Sequence, residues 1–412
     1  MRYDILFRDV ILGGKTVSIA ISGNRFAAIG ELPDAGADKV IECGGKFAAT
    51  LPFYNTHAHA AMTLFQSFAE DMELFDWLQN HIWPAEAKLT DEDIYIGTRL
   101  ATVQMIRSGT VYFNDSYWKP DNAYRAVQES GMRATLGKIY LQGVSDNNAS
   151  CDLLASGGCS RITVSHAPHA IYTVNETQFR NIARMMESDD LQLHVHVAET
   201  AKEVADCRKE HNGMTPVEYL DSLGLINSRA VLAHCVHLSD HDREIIASRG
   251  AVIAHNPVSN IKLCSGLFNF ERAKAAGCKV ALGTDSSASN NDLSMLEEMK
   301  FAALTAKMSA QSPTAGKVQD IFDMATSAGA AVAQVSGKIA VGCEADMLLI
   351  DLSHPLFAAG HDLTADLVYA AVPEVIDSVL CDGKFLMEKR IIPGESDIVA
   401  QGSEVCRKIR CR

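Results

Sequence analysis

Eight short apolar runs, each separated from the next by a longer segment of helical periodicity, constrain the middle of this chain more than any other feature. They fall at residues 53–56, 110–114, 133–139, 161–165, 191–197, 230–233, 251–254 and 279–283, and are rich in Val, Ile, Ala or Leu. Residues 91–107 illustrate the intervening segments. Ile94, Leu100, Ala101, Val103 and Ile106 form a stripe, with Thr90 as N-cap and Asp93 three residues on. Eight strand–helix units over about 290 residues predict a (β/α)₈ TIM-type barrel, whose usual size is ~250 residues. A doubly wound open sheet is the alternative, but no Gly-x-Gly-x-x-Gly follows a strand.

The two ends read differently. Asp4 to Phe7, Val17 to Ile21, Phe26 to Gly30 and Val40 to Glu42 are short strand patterns, with Gly13-Gly14 as a hairpin signal. Ala345 to Asp351, Val375 to Cys381 and Lys384 to Met387, the last two parted by Asp382-Gly383, repeat that character. Residues 1–50 and 342–412 are therefore expected to form one composite β-sandwich domain, and residues 51–341 the barrel.

In such a barrel, functional residues project from the C-terminal ends of the strands. Eight of the 14 histidines lie at or beside these ends: His57, His59, His166, His169, His194, His196, His234 and His255. Strand eight ends in Asp285. His57 and His59 stand at i and i+2, so on a strand both imidazoles face one side and can converge on a metal ion. His194 and His196 repeat that spacing, with Glu199 three residues further on.

Composition excludes several classes. A net charge of −14 argues against a nucleic-acid-backbone binder. No apolar stretch reaches the ~20 residues of a membrane helix, and Met1-Arg2-Tyr3-Asp4-Ile5 carries no signal-peptide pattern. Eleven cysteines without Cys-x-x-Cys spacing suit reduced thiols. The expectation is a soluble cytoplasmic protein acting on a small molecule.

The ordered motifs Asn55-Thr56-His57-Ala58-His59, His166-Ala167-Pro168-His169, His196-Val197-Ala198-Glu199-Thr200, Leu232-Ala233-His234-Cys235, His255-Asn256-Pro257-Val258-Ser259-Asn260 and Leu282-Gly283-Thr284-Asp285 span nearly the whole chain. Together they resemble the amidohydrolase superfamily, and more closely its 5-methylthioadenosine/S-adenosylhomocysteine deaminase branch. The resemblance implies one divalent metal ion per subunit, zinc first with Fe²⁺ or Mn²⁺ as alternatives, held by His57, His59, His196 and Asp285. His194 competes with His196 for the third position. It implies Glu199 as proton shuttle, His234 orienting the attacking water, and Asp285 as a second proton acceptor. Strand four ends without a lysine or acid, which implies one metal rather than two.

The same resemblance marks residues 74–86 as a lid. Glu86 would hold two ribose hydroxyls, Trp77 would pack on the sulfur-bearing side, and His169 would contact ribose or base. Homo-oligomers, dimers or tetramers, are usual among such relatives. Pro52-Phe53 departs from the branch's Pro-Gly. The stretch from Lys138 to Asn148 offers a lysine but no arginine for an amino-acid carboxylate. This favours 5-methylthioadenosine, another 5'-modified adenosine or adenosine over S-adenosylhomocysteine. Deamination of a free purine, pterin or triazine is an alternative, as is amide or chloride hydrolysis on the same site. A non-catalytic metal-binding homologue is the remote one.

Overall fold

The computed structural model describes residues 2–33, 35–143 and 158–411. Five N-terminal strands, β1 (Arg2–Leu12), β2 (Lys15–Ser22), β3 (Arg25–Gly30), β4 (Gly36–Glu42) and β5 (Phe47–Thr50), lead into the barrel. Its strands are β6 (Phe53–Ala58), β7 (Thr110–Asp115), β8 (Arg133–Tyr140), β9 (Ile162–Pro168), β10 (Gln192–Val197), β11 (Ala230–His234), β12 (Val252–His255) and β13 (Lys279–Leu282). Then β14 (Met347–Asp351), β15 (Ile376–Cys381) and β16 (Lys384–Met387) return to the first sheet. Each of the eight expected runs coincides with one barrel strand.

The barrel strands lie side by side in sequence order, all parallel. Every residue of β6, β7 and β10 is buried, which explains why these strands read as continuous runs rather than alternating ones. Closure between β13 and β6 relies mainly on side chains. Asn55 Nδ2 donates to Thr284 Oγ1 at 2.7 Å, Thr284 N–H donates to Asn55 Oδ1 at 3.0 Å, and Thr56 Oγ1 donates to the Leu282 carbonyl at 2.8 Å. One backbone bond, Asp285 N–H to His57 O at 2.9 Å, completes the seam at the mouth.

The terminal sheet runs β16-β15-β14-β5-β1-β2-β3, with β4 beside β1, so both ends of the chain share one sheet. Phe7, Ile19, Ile21, Phe26, Met347, Leu349 and Leu380 pack its core. A buried ion cluster locks it to the barrel. Arg133 on β8 donates from Nε to Asp346 Oδ2 at 2.9 Å and from Nη2 to Asp382 Oδ1 at 3.0 Å.

The helix Asp91–Arg107 carries the expected capping box between Thr90 and Asp93. Ile94, Ala101, Val103 and Ile106 are buried as the stripe requires. Leu100 instead meets the C-terminal helix Glu395–Cys411, where a Cβ on Gly402 would approach its Cδ2 to 3.0 Å. Val405 and Ile409 of that helix join Phe65, Trp77 and Ile82 in one apolar cluster. No helix among the described residues is long and apolar enough to cross a membrane.

Candidate metal centre and active site

The strand ends build the site through strained backbone. Ala198, His234 and Asp285, at the ends of β10, β11 and β13, have φ of 51°, 71° and 62°, sparsely populated for residues with a Cβ. These turns bend the chain off each strand and aim the side chains into the barrel mouth. Gly283 sits where a Cβ would come within 2.8 Å of both His57 Cβ and His57 N, so only glycine lets β13 pass this close to the first metal motif.

Hydrogen bonds fix the imidazole tautomers. His59 Nδ1 lies 2.6 Å from the Ser116 carbonyl and His196 Nδ1 lies 2.6 Å from the His169 carbonyl. A carbonyl only accepts, so both Nδ1 atoms carry the proton and both Nε2 atoms present lone pairs. Those two Nε2 atoms are 3.3 Å apart. Asp285 Oδ1 stands 3.4 Å from His57 Nε2 and 3.2 Å from His59 Nε2, while its Oδ2 accepts from Ser259 Oγ at 2.6 Å and Ser289 Oγ at 3.0 Å. His57 Nε2 is buried without a hydrogen-bond partner. The Nε2 atoms of His57, His59 and His196 and the Asp285 carboxylate face one point, an arrangement that a cation would satisfy.

The donor atoms fall into two overlapping groups, His57, His59, His196 and His57, His234, Asp285, each within 4.8 Å. Three imidazoles and a carboxylate suit a divalent ion. Burial pushes His57 down to about 4 and His196 well below its usual range, which favours the neutral form that ligation requires, whereas Asp285 raises His59 against the effect of burial. Burial works to raise Asp285, but His57 and His59 hold it well below the usual carboxylate range.

His194 and His196 separate by depth. His194 Nε2 lies 2.8 Å from His57 Nδ1, beneath the cluster, and His194 belongs to neither donor group. His234 Nδ1 faces Asn260 Oδ1 at 2.8 Å, which leaves its Nε2 to the site. His255 packs on Phe268, ring centroids 4.7 Å apart, and does not line the cleft. His166 turns outward, with Nδ1 2.8 Å from the Tyr140 hydroxyl and Nε2 2.9 Å from Asp189 Oδ2.

A cleft opens above the cluster. Glu199, His234, His169, Trp77 and Glu86 all line it, as do Leu74, Leu78, Ile82, Trp83, Ile139, Leu141 and Tyr172. Burial raises the Glu199 carboxyl, and Ser265 Oγ donates to its Oε1 at 3.3 Å. Glu86 follows a π-helical turn, Trp77–Ile82, and burial pushes its carboxyl up to about 7. Tyr117 and Trp118 hold Glu86 below what burial alone would give, although the Tyr117 hydroxyl lacks a well-formed hydrogen bond. Trp77 Nε1 donates to the Ala69 carbonyl at 3.2 Å, which fixes its ring against the cleft. His169 Nδ1 lies 2.9 Å from Thr173 Oγ1.

Lys138 stands opposite His166 in the β8–β9 register, on the outward side, and does not line the cleft. Val144 to Asn148, the end of the stretch considered for a carboxylate partner, lies outside the described residues. Sequence reasoning missed Ser116, Ser259 and Ser289, which orient His59 and Asp285, and Asn260, which orients His234. Ser259 and Asn260 stood in a quoted motif, and Ser116 directly follows a barrel strand, which is the one signal that pointed to it.

A model of the amidohydrolase family matches residues 49–386. The chain belongs to the amidohydrolase family. This amidohydrolase is 40% identical over 403 residues to 5-methylthioadenosine/S-adenosylhomocysteine deaminase 1 of Archaeoglobus fulgidus, covering 95% of each chain. It is 43% identical over 379 residues to 5'-deoxyadenosine deaminase of Methanospirillum hungatei, covering 89% of this chain and 84% of that one. An adenosine deaminase structure from Xanthomonas campestris with bound zinc superposes with a TM-score of 0.94 at 30% identity, covering 100% and 99%. A triazine hydrolase variant shares the fold, with a TM-score of 0.89 at 20% identity. Family and donor cluster together make this a divalent-metal site.

Proposed function

We propose that this amidohydrolase deaminates adenosine-type nucleosides hydrolytically, converting nucleoside and water to the inosine analogue and ammonia. One observation carries the reading: the histidine and aspartate cluster and the half-buried Glu86 meet at the same cleft. The first suits hydrolysis at an aromatic amine, and the second suits a vicinal diol, because each carboxylate oxygen can accept one hydroxyl. The deaminase relatives support both halves.

His57, His59, His196 and Asp285 would hold the cation, zinc by its preference for imidazole and carboxylate donors and by the Xanthomonas structure. When bound it supplies Lewis-acid activation of water. Glu199, raised by burial and facing the cleft, takes a proton from the attacking water and delivers it to a ring nitrogen. His234 orients that water through an imidazole set by Asn260. Asp285 accepts the second proton, which leaves with the amino group as the C–N bond breaks. Trp77 packs on the side of the 5' substituent, His169 contacts ribose or base, and Glu86 takes the diol.

No lysine or arginine lines the cleft among the described residues, and residues 144–157 contain none in sequence. Apolar Leu74, Ile139 and Leu141 surround the remaining space. This supports a neutral 5' substituent, as in 5-methylthioadenosine or 5'-deoxyadenosine, over the charged amino acid of S-adenosylhomocysteine. An ammonia-release screen of the zinc-loaded protein against 5'-substituted adenosines, adenosine, free purines and pterins tests the proposal. Turnover confined to free bases would refute the nucleoside reading, and no ammonia from any compound would refute catalysis.

A further inference from the structure

Glu203 is a buried acid, 4% exposed, that the reaction as described does not use. It stands at the third position of the helix Ala201–Glu210, whose N-cap Thr200 accepts the Glu203 N–H at 3.1 Å. An ordinary capping box would return the carboxylate to the N–H of Thr200 itself. Here it reaches further back. Oε1 accepts the Ala198 N–H at 2.9 Å and Oε2 accepts the Glu199 N–H at 2.7 Å. Those two amides belong to the turn in which Ala198 adopts φ 51°. The carbonyl side of the turn is held from the neighbouring strand end, where Cys235 N–H donates to Val197 O and His237 N–H to Ala198 O, both at 2.9 Å.

We infer that Glu203 is a positioning residue for Glu199: by bridging both amides of the left-handed turn, it fixes where the Glu199 carboxylate enters the cleft. The inference rests on the reading of Glu199 as proton carrier. A carboxylate is the residue type this task needs, since only it offers two acceptor oxygens and no competing donor. Glutamine keeps the shape but sets an NH₂ against one of the amides. Because both contacts are to backbone, the turn's conformation depends on the acceptor pair rather than on which side chain follows.

The test compares E203Q, E199Q and the double variant as metal-replete full chains, with kcat, KM, metal content and thermal melting measured for each. E203Q should lose about 10- to 100-fold in kcat with KM changed less than about threefold and metal content unaltered. E199Q should lose more, and E199Q/E203Q no more than E199Q alone, because a group that acts through another adds nothing once that group is gone. E203D, which keeps both oxygens on a shorter arm, should show the same fall in kcat and stands in if E203Q folds poorly. Wild-type kcat in both Glu203 variants, or losses that multiply in the double variant, would overturn the inference. Unchanged turnover in E199Q would instead remove its premise, the carrier role of Glu199.

Discussion

Replacing Glu86 by alanine should divide nucleoside turnover from base turnover. The carboxylate lines the cleft above the metal cluster and burial has raised it to about 7. Two ribose hydroxyls donating to it are charge-assisted hydrogen bonds, each worth about 1.5–3 kcal/mol. At about 1.4 kcal/mol per tenfold, their loss lowers kcat/KM by roughly 10²- to 10⁴-fold. Because the diol is bound equally before and during reaction, most of that loss should lie in KM. Ammonia release from an adenosine-type nucleoside and from adenine, measured with wild type and E86A, gives the comparison. Adenine has no diol, so any turnover of it should change less than about threefold. The same carboxylate gives a pH signature. Its raised pKa means that it takes up a proton as pH falls through about 7, losing an acceptor. Nucleoside kcat/KM should then fall about tenfold per pH unit on the acid side and reach a plateau on the alkaline side. A bound cation adds positive charge nearby and draws the midpoint lower. Equal losses for nucleoside and base in E86A would refute the diol clamp.

His194→Leu removes the hydrogen-bond partner of His57 Nδ1 without touching a ligand atom, so metal affinity should drop about 10- to 100-fold in chelator competition. Unchanged affinity would leave His194 a packing residue. Gly283→Ala drives a methyl to 2.8 Å from His57 Cβ, and urea unfolding should report a loss of about 1–3 kcal/mol together with weaker metal retention. Asp346→Ala strands the buried Arg133 beside Asp382 alone and should cost about 3–5 kcal/mol in the same assay. The paired replacement R133M/D346L should recover most of it.

What the sequence determined by itself was local and periodic. Barrel strands buried on both faces are continuous apolar runs, and their helices carry an apolar stripe with a cap such as Thr90 and Asp93, so both survive as patterns along the chain. The His-x-His of β6 was legible for the same reason, since two residues along a strand share a face. What only the tertiary structure decided involves position across the barrel. His194 and His196 share a strand face in sequence, and only their height against His57 makes one a buried support and the other a donor to the cluster. Asn55 and Thr284 are 229 positions apart, and no local pattern marks them as the seam. Ser259 and Ser289 orient Asp285 by the same kind of distant contact. Nothing in the sequence marks Glu203, and its reach to Ala198 and Glu199 follows from a left-handed turn that periodicity cannot encode. Spacing along a strand fixes which way a side chain faces, whereas its partner depends on how eight strands are staggered as they close.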